Sequence, residues 1–161
     1  MFEWGPRRML AMIALFCLGL LGFGLYLQHI VGLEPCPMCI VQRYAMVAIA
    51  VVAALAAAIP ASGARIAGLS LLLPVACFGA FVAARQSWLQ WYPPQAVSCG
   101  RDFYGMIESF PLQRAIPMIF KGSGDCSAVD WTFLGGSIAN WSFASFVAIA
   151  MVAVWLLLRR R

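Results

Sequence analysis

The sequence predicts an all-α membrane protein, a four-helix transmembrane bundle with one long loop between the third and fourth helices. Hydrophobic residues make up 63% of the chain and charged residues only 11%, whereas soluble domains carry about 25% charged residues. Four apolar runs are each close to the roughly 20 residues that span a bilayer core. The chain has no basic patch with interleaved aromatic residues, so we expect no nucleic acid partner.

The four predicted spans belong to a single integral membrane domain, residues 1–161. Arg7 and Arg8 precede the first apolar run, as in a signal peptide. That run is too long for a signal sequence and does not end in an Ala-x-Ala cleavage site, so we interpret it as a membrane helix. The spans are 9–29, 41–59, 66–86 and 141–158, and the extramembrane segments that bear cysteines are 30–40 and 87–140.

Basic residues predict the orientation of the bundle. Four spans put both termini and the turn at 60–65 on one side, and the cysteine-bearing segments on the other. The segment 87–140 has three basic and four acidic residues, a net charge of −1. The positive-inside rule predicts that the side with both termini and the turn at 60–65 is cytoplasmic. The cysteine-bearing segments then face the compartment where disulfides persist. The basic residues of the cytoplasmic side are Arg7, Arg8, Arg65, Arg159, Arg160 and Arg161.

A Cys-x-x-Cys pair, Cys36-Pro37-Met38-Cys39, stands where a polar junction meets the second span. Cys39 would lie in the first turn of that helix, where free N–H groups and the positive end of the dipole favour a thiolate. Arg43 follows one turn later on about the same face and adds a fixed positive charge. A lowered thiol pKa makes sulfur a better leaving group, so we interpret the pair as a redox site at the membrane surface.

The six cysteines leave three interpretations open. Zinc needs four converging ligands, and the chain has one Cys-x-x-Cys pair and a lone histidine, His29, so we expect no metal. Two static disulfides are an alternative, although a bridge across so short a loop constrains the unfolded chain little. Cys17 and Cys77 lie inside spans, where thiols pack as small hydrophobic groups. A redox relay fits best, and its members are Cys36, Cys39, Cys99 and Cys126.

One set of motifs extends along nearly the whole chain. It comprises Gln28-His29, Pro35-Cys36-x-x-Cys39, Gln42-Arg43, Gln90-x-Tyr92-Pro93, Cys99, Cys126 and Trp131-x-Phe133-Leu134-Gly135. This joint pattern resembles the DsbB family, the disulfide bond formation protein B of bacteria. This sequence differs from some members of the family at Gln86, where those members carry a histidine after the third helix.

The resemblance implies an enzyme of the Gram-negative inner membrane. Such an enzyme reoxidises a periplasmic DsbA-like thiol oxidase and passes two electrons to a quinone, either ubiquinone or menaquinone, which supports protein disulfide formation. By position the resemblance assigns the quinone-linked pair to Cys36 and Cys39, the DsbA-exchanging pair to Cys99 and Cys126, and the quinone-site arginine to Arg43. A guanidinium near a quinone oxygen would stabilise negative charge as the ring is reduced.

Alternatives remain for Arg43 and for the whole chain. Arg43 could instead reach along its helix to the bilayer surface, as arginines near helix ends commonly do. The chain could be a non-enzymatic tetraspan scaffold with two structural disulfides. A transporter is disfavoured because the spans hold no Asp, Glu, Lys or Arg except Arg43 and Arg85, at their outer ends.

The redox interpretation makes a prediction about connectivity. In the resting oxidised protein we predict Cys36–Cys39 and Cys99–Cys126 disulfides, with Cys17 and Cys77 free. The resemblance implies that a partner's thiolate attacks the sulfur of Cys99. The released Cys126 would then exchange with the Cys36–Cys39 disulfide and free Cys39 to donate electrons to the quinone.

Overall fold

The computed structural model describes residues 5–93, 124–127, 129 and 131–159. Four long helices account for most of these residues, and each is long and apolar enough to cross a membrane, which confirms the predicted fold class. They are α1 (Pro6–His29), α2 (Pro37–Ala58), α3 (Ser62–Trp91) and α5 (Ile138–Leu158). A single-turn helix, α4 (Gly124–Ser127), and two short strands, β1 (Thr132–Phe133) and β2 (Gly136–Ser137), precede α5.

The helices extend beyond the apolar spans that the sequence predicts. The third helix begins at Ser62 rather than at 66 and continues past 86 to Trp91. The second begins at Pro37, before the predicted start at 41, and the fourth begins at Ile138. The spans were bounded by where apolar residues end, whereas helical hydrogen bonding continues into the headgroup layers that flank the hydrocarbon core.

The helices pack in sequence around one apolar core. Helix α1 packs against α2, α2 against α3, and α3 against α5. Fully buried side chains such as Leu10, Ile49 and Phe146 form the core. The outer surface is also apolar: Leu15 is 68% exposed and Phe81 61% exposed. A helix that is hydrophobic on all sides is typical of a membrane span, because lipid covers its outer face.

Close helix contacts depend on small residues. A Cβ atom on Gly79 of α3 would overlap the ring of Phe146 on α5. Because Phe146 is itself fully buried, its ring has little room to move away. The absence of a side chain at Gly79 therefore permits the α3–α5 contact.

We expect Gly79→Ala to destabilise the bundle by about 1–3 kcal/mol, the usual cost of overpacking a filled core. The matched control is Gly22→Ala on α1, where a Cβ atom meets nothing within 4 Å. Thermal unfolding of the two variants in detergent measures the difference. Equal melting temperatures would mean that the α3–α5 contact adapts without cost.

A β-hairpin precedes α5 and was not predicted from the sequence. Thr132 pairs with Ser137 and Phe133 with Gly136. The two turn residues, Leu134 and Gly135, have φ of 50° and 80°. Such a pair of left-handed residues gives the backbone twist that joins two antiparallel strands tightly. Ser137 then caps α5, because its hydroxyl accepts a hydrogen bond from the Asn140 backbone N–H at 3.4 Å.

Candidate functional site

The site is built on the N-terminus of α2. Cys36 is the N-cap residue, and its sulfur accepts a hydrogen bond from the Cys39 backbone N–H at 3.3 Å. Pro37 occupies the first helical position, where a missing N–H sacrifices no helical hydrogen bond. Cys39 therefore lies in the first turn of the helix, as predicted. The Cys36 thiol donates to the Cys39 sulfur across 2.9 Å.

A third sulfur joins this pair from a distant part of the chain. Cys126, on α4, is fully buried and packs with Cys36 against apolar side chains of α2 and α3. A side-chain hydrogen bond joins Cys36 to Cys126, and this bond, the bond to Cys39 and burial all raise the pKa of the Cys36 thiol. Cys36 thus contacts both other sulfurs. Thiol–disulfide exchange needs an attacking, a central and a leaving sulfur, and Cys36 has the contacts of the central one.

Two glutamines complete the surroundings of the sulfurs. The Gln86 Nε2 atom lies 3.3 Å from the Cys36 sulfur and 3.2 Å from the Cys39 sulfur. The Gln86 Oε1 atom accepts a hydrogen bond from Gln42 Nε2 at 2.7 Å, and both side chains are buried. From the sequence, Gln86 was only a departure from a family pattern. The one feature of the sequence that could have indicated a role in the site is the polar amide of Gln86 at the end of an otherwise apolar span.

Arg43 points across the bundle toward α1. Its guanidinium donates hydrogen bonds to Gln28 Oε1 and to the Gly24 carbonyl oxygen, the latter at 3.0 Å. It is partly buried and lines a cavity that also reaches Cys39. This orientation differs from that of an arginine extended along its own helix toward water.

An apolar cavity of about 800 Å³ opens from the sulfurs between α1 and α5. Cys39, Arg43 and Gln86 line its polar end. Its volume falls within the range of about 300–1,000 Å³ that is typical of small-molecule sites. The apolar walls include Phe16, Leu20 and Leu27 of α1 and Ile138, Ala144 and Ala148 of α5.

Aromatic rings from three elements close one side of the cavity. Trp131 packs edge-on against Phe23 of α1, with ring centroids 5.5 Å apart, and stacks with Phe133 at 6.1 Å. Trp141 of α5 donates its indole N–H to the Phe133 carbonyl oxygen at 2.9 Å. The hairpin, α1 and α5 are therefore joined beside the cavity, and the Trp-x-Phe motif lies where they meet.

Among the cysteines that the structure describes, Cys17, Cys36, Cys39, Cys77 and Cys126, it contains no disulfide bond. The Cys36 and Cys39 sulfurs lie 2.9 Å apart and are not joined by a disulfide. The disulfide remains a prediction for the oxidised protein. Cys99 lies outside the described residues, so its predicted pairing with Cys126 also remains a prediction. Cys17 is buried in the helix core, and Cys77 is exposed on α3, both distant in sequence from the site.

The four helices are long and apolar enough to span a membrane, and three cysteine sulfurs lie together beside an apolar cavity. These features are typical of a membrane thiol oxidoreductase. The family model described as "Disulfide bond formation protein DsbB" matches residues 6–156. The chain belongs to the DsbB family.

Named relatives agree over the full length of the chain. The disulfide bond formation protein B of Polaromonas sp. (strain JS666 / ATCC BAA-500) is 68% identical to this chain. The aligned region covers 98% of this chain and 94% of that relative. That of Polaromonas naphthalenivorans is 70% identical, with 96% and 92% covered. That of Aromatoleum aromaticum is 52% identical, with 99% and 97% covered. The chain is thus a multi-pass membrane enzyme of disulfide bond formation, an oxidoreductase, and not a passive scaffold.

Proposed function

We propose that this chain oxidises a periplasmic DsbA-like dithiol protein and passes the electrons through Cys99 and Cys126, then Cys36 and Cys39, to a quinone. The observation that carries the proposal is the contact of Cys126 with Cys36 at the polar end of the cavity. That contact joins the two cysteine pairs, and the cavity gives the second pair access to a lipid-soluble acceptor.

The proposed route balances bonds and electrons at each exchange. A thiolate of the partner attacks Cys99, the Cys99–Cys126 bond breaks, and Cys126 leaves as a thiolate. The partner's second thiolate then displaces Cys99 and completes the partner's disulfide. Cys126 attacks Cys36, which breaks the Cys36–Cys39 bond and frees Cys39 as a thiolate. The Cys99 thiolate then attacks Cys126, which re-forms the Cys99–Cys126 disulfide and releases Cys36 as a thiolate. Each cycle thus moves two electrons from the partner dithiol to the Cys36–Cys39 pair.

The residues around the cavity fit a quinone head group and its hydrocarbon tail. Arg43 would hold the head group, since its guanidinium faces the polar end beside Cys39. The apolar side chains of α1 and α5 would cover the tail. When bound, a quinone supplies an acceptor for two electrons and two protons. Arg43 would stabilise negative charge there, because a fixed guanidinium in a desolvated site needs no rearrangement during the reaction.

We propose a bacterial inner membrane location with both termini in the cytoplasm. The Arg7 side chain donates to the Ala57 carbonyl oxygen at 2.6 Å, which joins the start of α1 to the end of α2. Arg65, near the start of α3, donates to the Pro60 carbonyl oxygen at the same end of the bundle. Arg7 and Arg65 thus lie at the end of the bundle opposite Cys36 and Cys39, which supports a cytoplasmic position for that end under the positive-inside rule.

Reconstituted full-length protein tests the proposal. A purified DsbA-like dithiol oxidase in its reduced form and ubiquinone are added to proteoliposomes, and quinone reduction is followed by absorbance. We expect quinol and oxidised partner to form in equal amounts, with neither formed when the protein is omitted. Failure to reduce ubiquinone and menaquinone alike, by protein shown to be folded, would reject the quinone as acceptor.

A further inference from the structure

From the contacts at the sulfurs, we infer that the Gln86 side-chain amide, held in orientation by Gln42, is an uncharged hydrogen-bond donor that stabilises the Cys39 thiolate. This inference deepens the proposed function and rests on it, because the thiolate is the group from which the electrons leave. Gln86 contacts a reacting atom, whereas Gln42 acts through Gln86 and is a positioning residue.

The donor nitrogen of the Gln86 amide lies close to both acceptor sulfurs. The Gln86 amide nitrogen lies within 3.3 Å of both the Cys36 and Cys39 sulfurs. An amide nitrogen carries two hydrogens and can therefore donate to both sulfurs at once. Charge develops on the Cys39 sulfur when the Cys36–Cys39 bond breaks. A donor already aimed at that sulfur stabilises the leaving thiolate without reorganising.

A buried hydrogen bond from Gln42 fixes the orientation of the Gln86 amide. Gln86 Oε1 accepts from Gln42 Nε2 at 2.7 Å, and the two side chains are only 3% and 5% exposed. Rotating the Gln86 amide alone would place its nitrogen against the Gln42 nitrogen, donor against donor. Gln42 stands three residues after Cys39 on α2, so both point from the same face toward α3. The Gln42–Gln86 pair thus directs the donor at the sulfurs.

The Gln86 amide can form a hydrogen bond with the Cys39 sulfur in both of its protonation states. The Cys39 thiol can donate to Gln86 Oε1, 3.7 Å away, and the thiolate can accept from Nε2. Gln86 itself neither gains nor loses a proton. The titratable and charged groups that line the cavity together with Gln86 are Glu34, Cys36, Cys39 and Arg43. Cys126 on α4 packs with Cys36, and Arg85 precedes Gln86 on α3.

A thiolate titration tests the inference without quinone or partner. Full-length protein in nanodiscs is stripped of quinone and reduced, and the alkylation rate of Cys39 is measured against pH by peptide mapping. Gln86→Met keeps the side-chain volume but removes the amide. We expect the midpoint for Cys39 to rise by about one to two pH units, as for loss of one hydrogen bond to a charged group. Gln42→Met should raise it less, because the amide remains but is free to rotate.

Two further variants keep the test decisive. Gln86→Glu preserves shape and replaces the donor by an acceptor, so it should raise the midpoint at least as far as Gln86→Met. Gln90→Met, one turn farther along α3, is the matched control: its side chain bonds Ser137 at 2.6 Å, and we expect no shift. An unchanged midpoint in folded Gln86→Met or Gln86→Glu protein would overturn the inference. Because the titration contains no quinone, that result is distinct from failure of the unaltered protein to reduce quinone, which would overturn the proposed function.

Discussion

We expect Cys39→Ser to abolish quinone reduction and to leave formation of a mixed disulfide at Cys99 intact. A serine hydroxyl forms no disulfide and is not ionised at neutral pH, so electrons reaching Cys36 have no thiolate from which to leave. Cys99→Ser gives the opposite result: the partner is no longer oxidised, while a chemically reduced Cys36–Cys39 pair still reduces quinone. Each variant thus loses one half-reaction below detection and retains the other.

Two assays separate these half-reactions. Non-reducing gels with a partner variant that has a single cysteine detect the mixed disulfide, and absorbance follows quinone reduction by pre-reduced protein. Cys77→Ser is the control, since Cys77 is exposed on α3 and outside the sulfur cluster. Loss of both half-reactions in both variants, with Cys77→Ser active, would mean that these cysteines act through folding alone.

We expect Arg43→Met to lower quinone turnover by about ten- to a hundredfold, the value of one hydrogen bond to a charged group. Arg43→Lys keeps the charge but loses the planar fork that bonds both Gln28 and the Gly24 carbonyl, so its loss is smaller. Exchange between the partner and Cys99 should be unchanged in both variants.

The measurement is steady-state quinone reduction at several quinone concentrations, per folded molecule. Arg65→Met is the matched control, because Arg65 bonds the Pro60 carbonyl oxygen at the opposite end of the bundle. An arginine that only anchors α2 at the bilayer surface would change expression or insertion and leave the kinetics alone. Wild-type KM and kcat in Arg43→Met protein would remove Arg43 from the quinone site.

The helices could be predicted from the sequence because each carries a long apolar run, and a run of that length has few alternatives. Their ends could not, because hydrogen bonding continues past the apolar residues, as at Ser62 and Trp91. The hairpin at 132–137 escaped prediction for another reason. Its strands have two residues each, too few to show alternation, and its turn places Leu134 rather than Asn or Asp at a positive φ.

Part of the site could also be predicted from the sequence. Cys39 and Arg43 are one helical turn apart, so local spacing alone put them on one face of α2. The contact between Cys126 and Cys36 depends on tertiary packing, so the sequence could group both residues in one redox relay but could not predict which sulfurs touch. The sequence showed that Gln86 replaces a histidine found in some family members, but it did not indicate that Gln86 lies beside the sulfurs. Its contacts arise where α3 packs on α2, and no pattern within either helix encodes that pairing.

The central claim is that the Cys36–Cys39 pair delivers its electrons directly to a quinone. Reduced protein in nanodiscs, kept free of oxygen and of any thiol partner, is mixed with ubiquinone in a single turnover, and disulfides are mapped after acid quenching. We predict that a Cys36–Cys39 disulfide forms at the rate at which quinol appears, also in Cys99→Ser protein. Quinol formation with Cys36 and Cys39 still present as thiols, or no quinol from folded protein, would contradict the account.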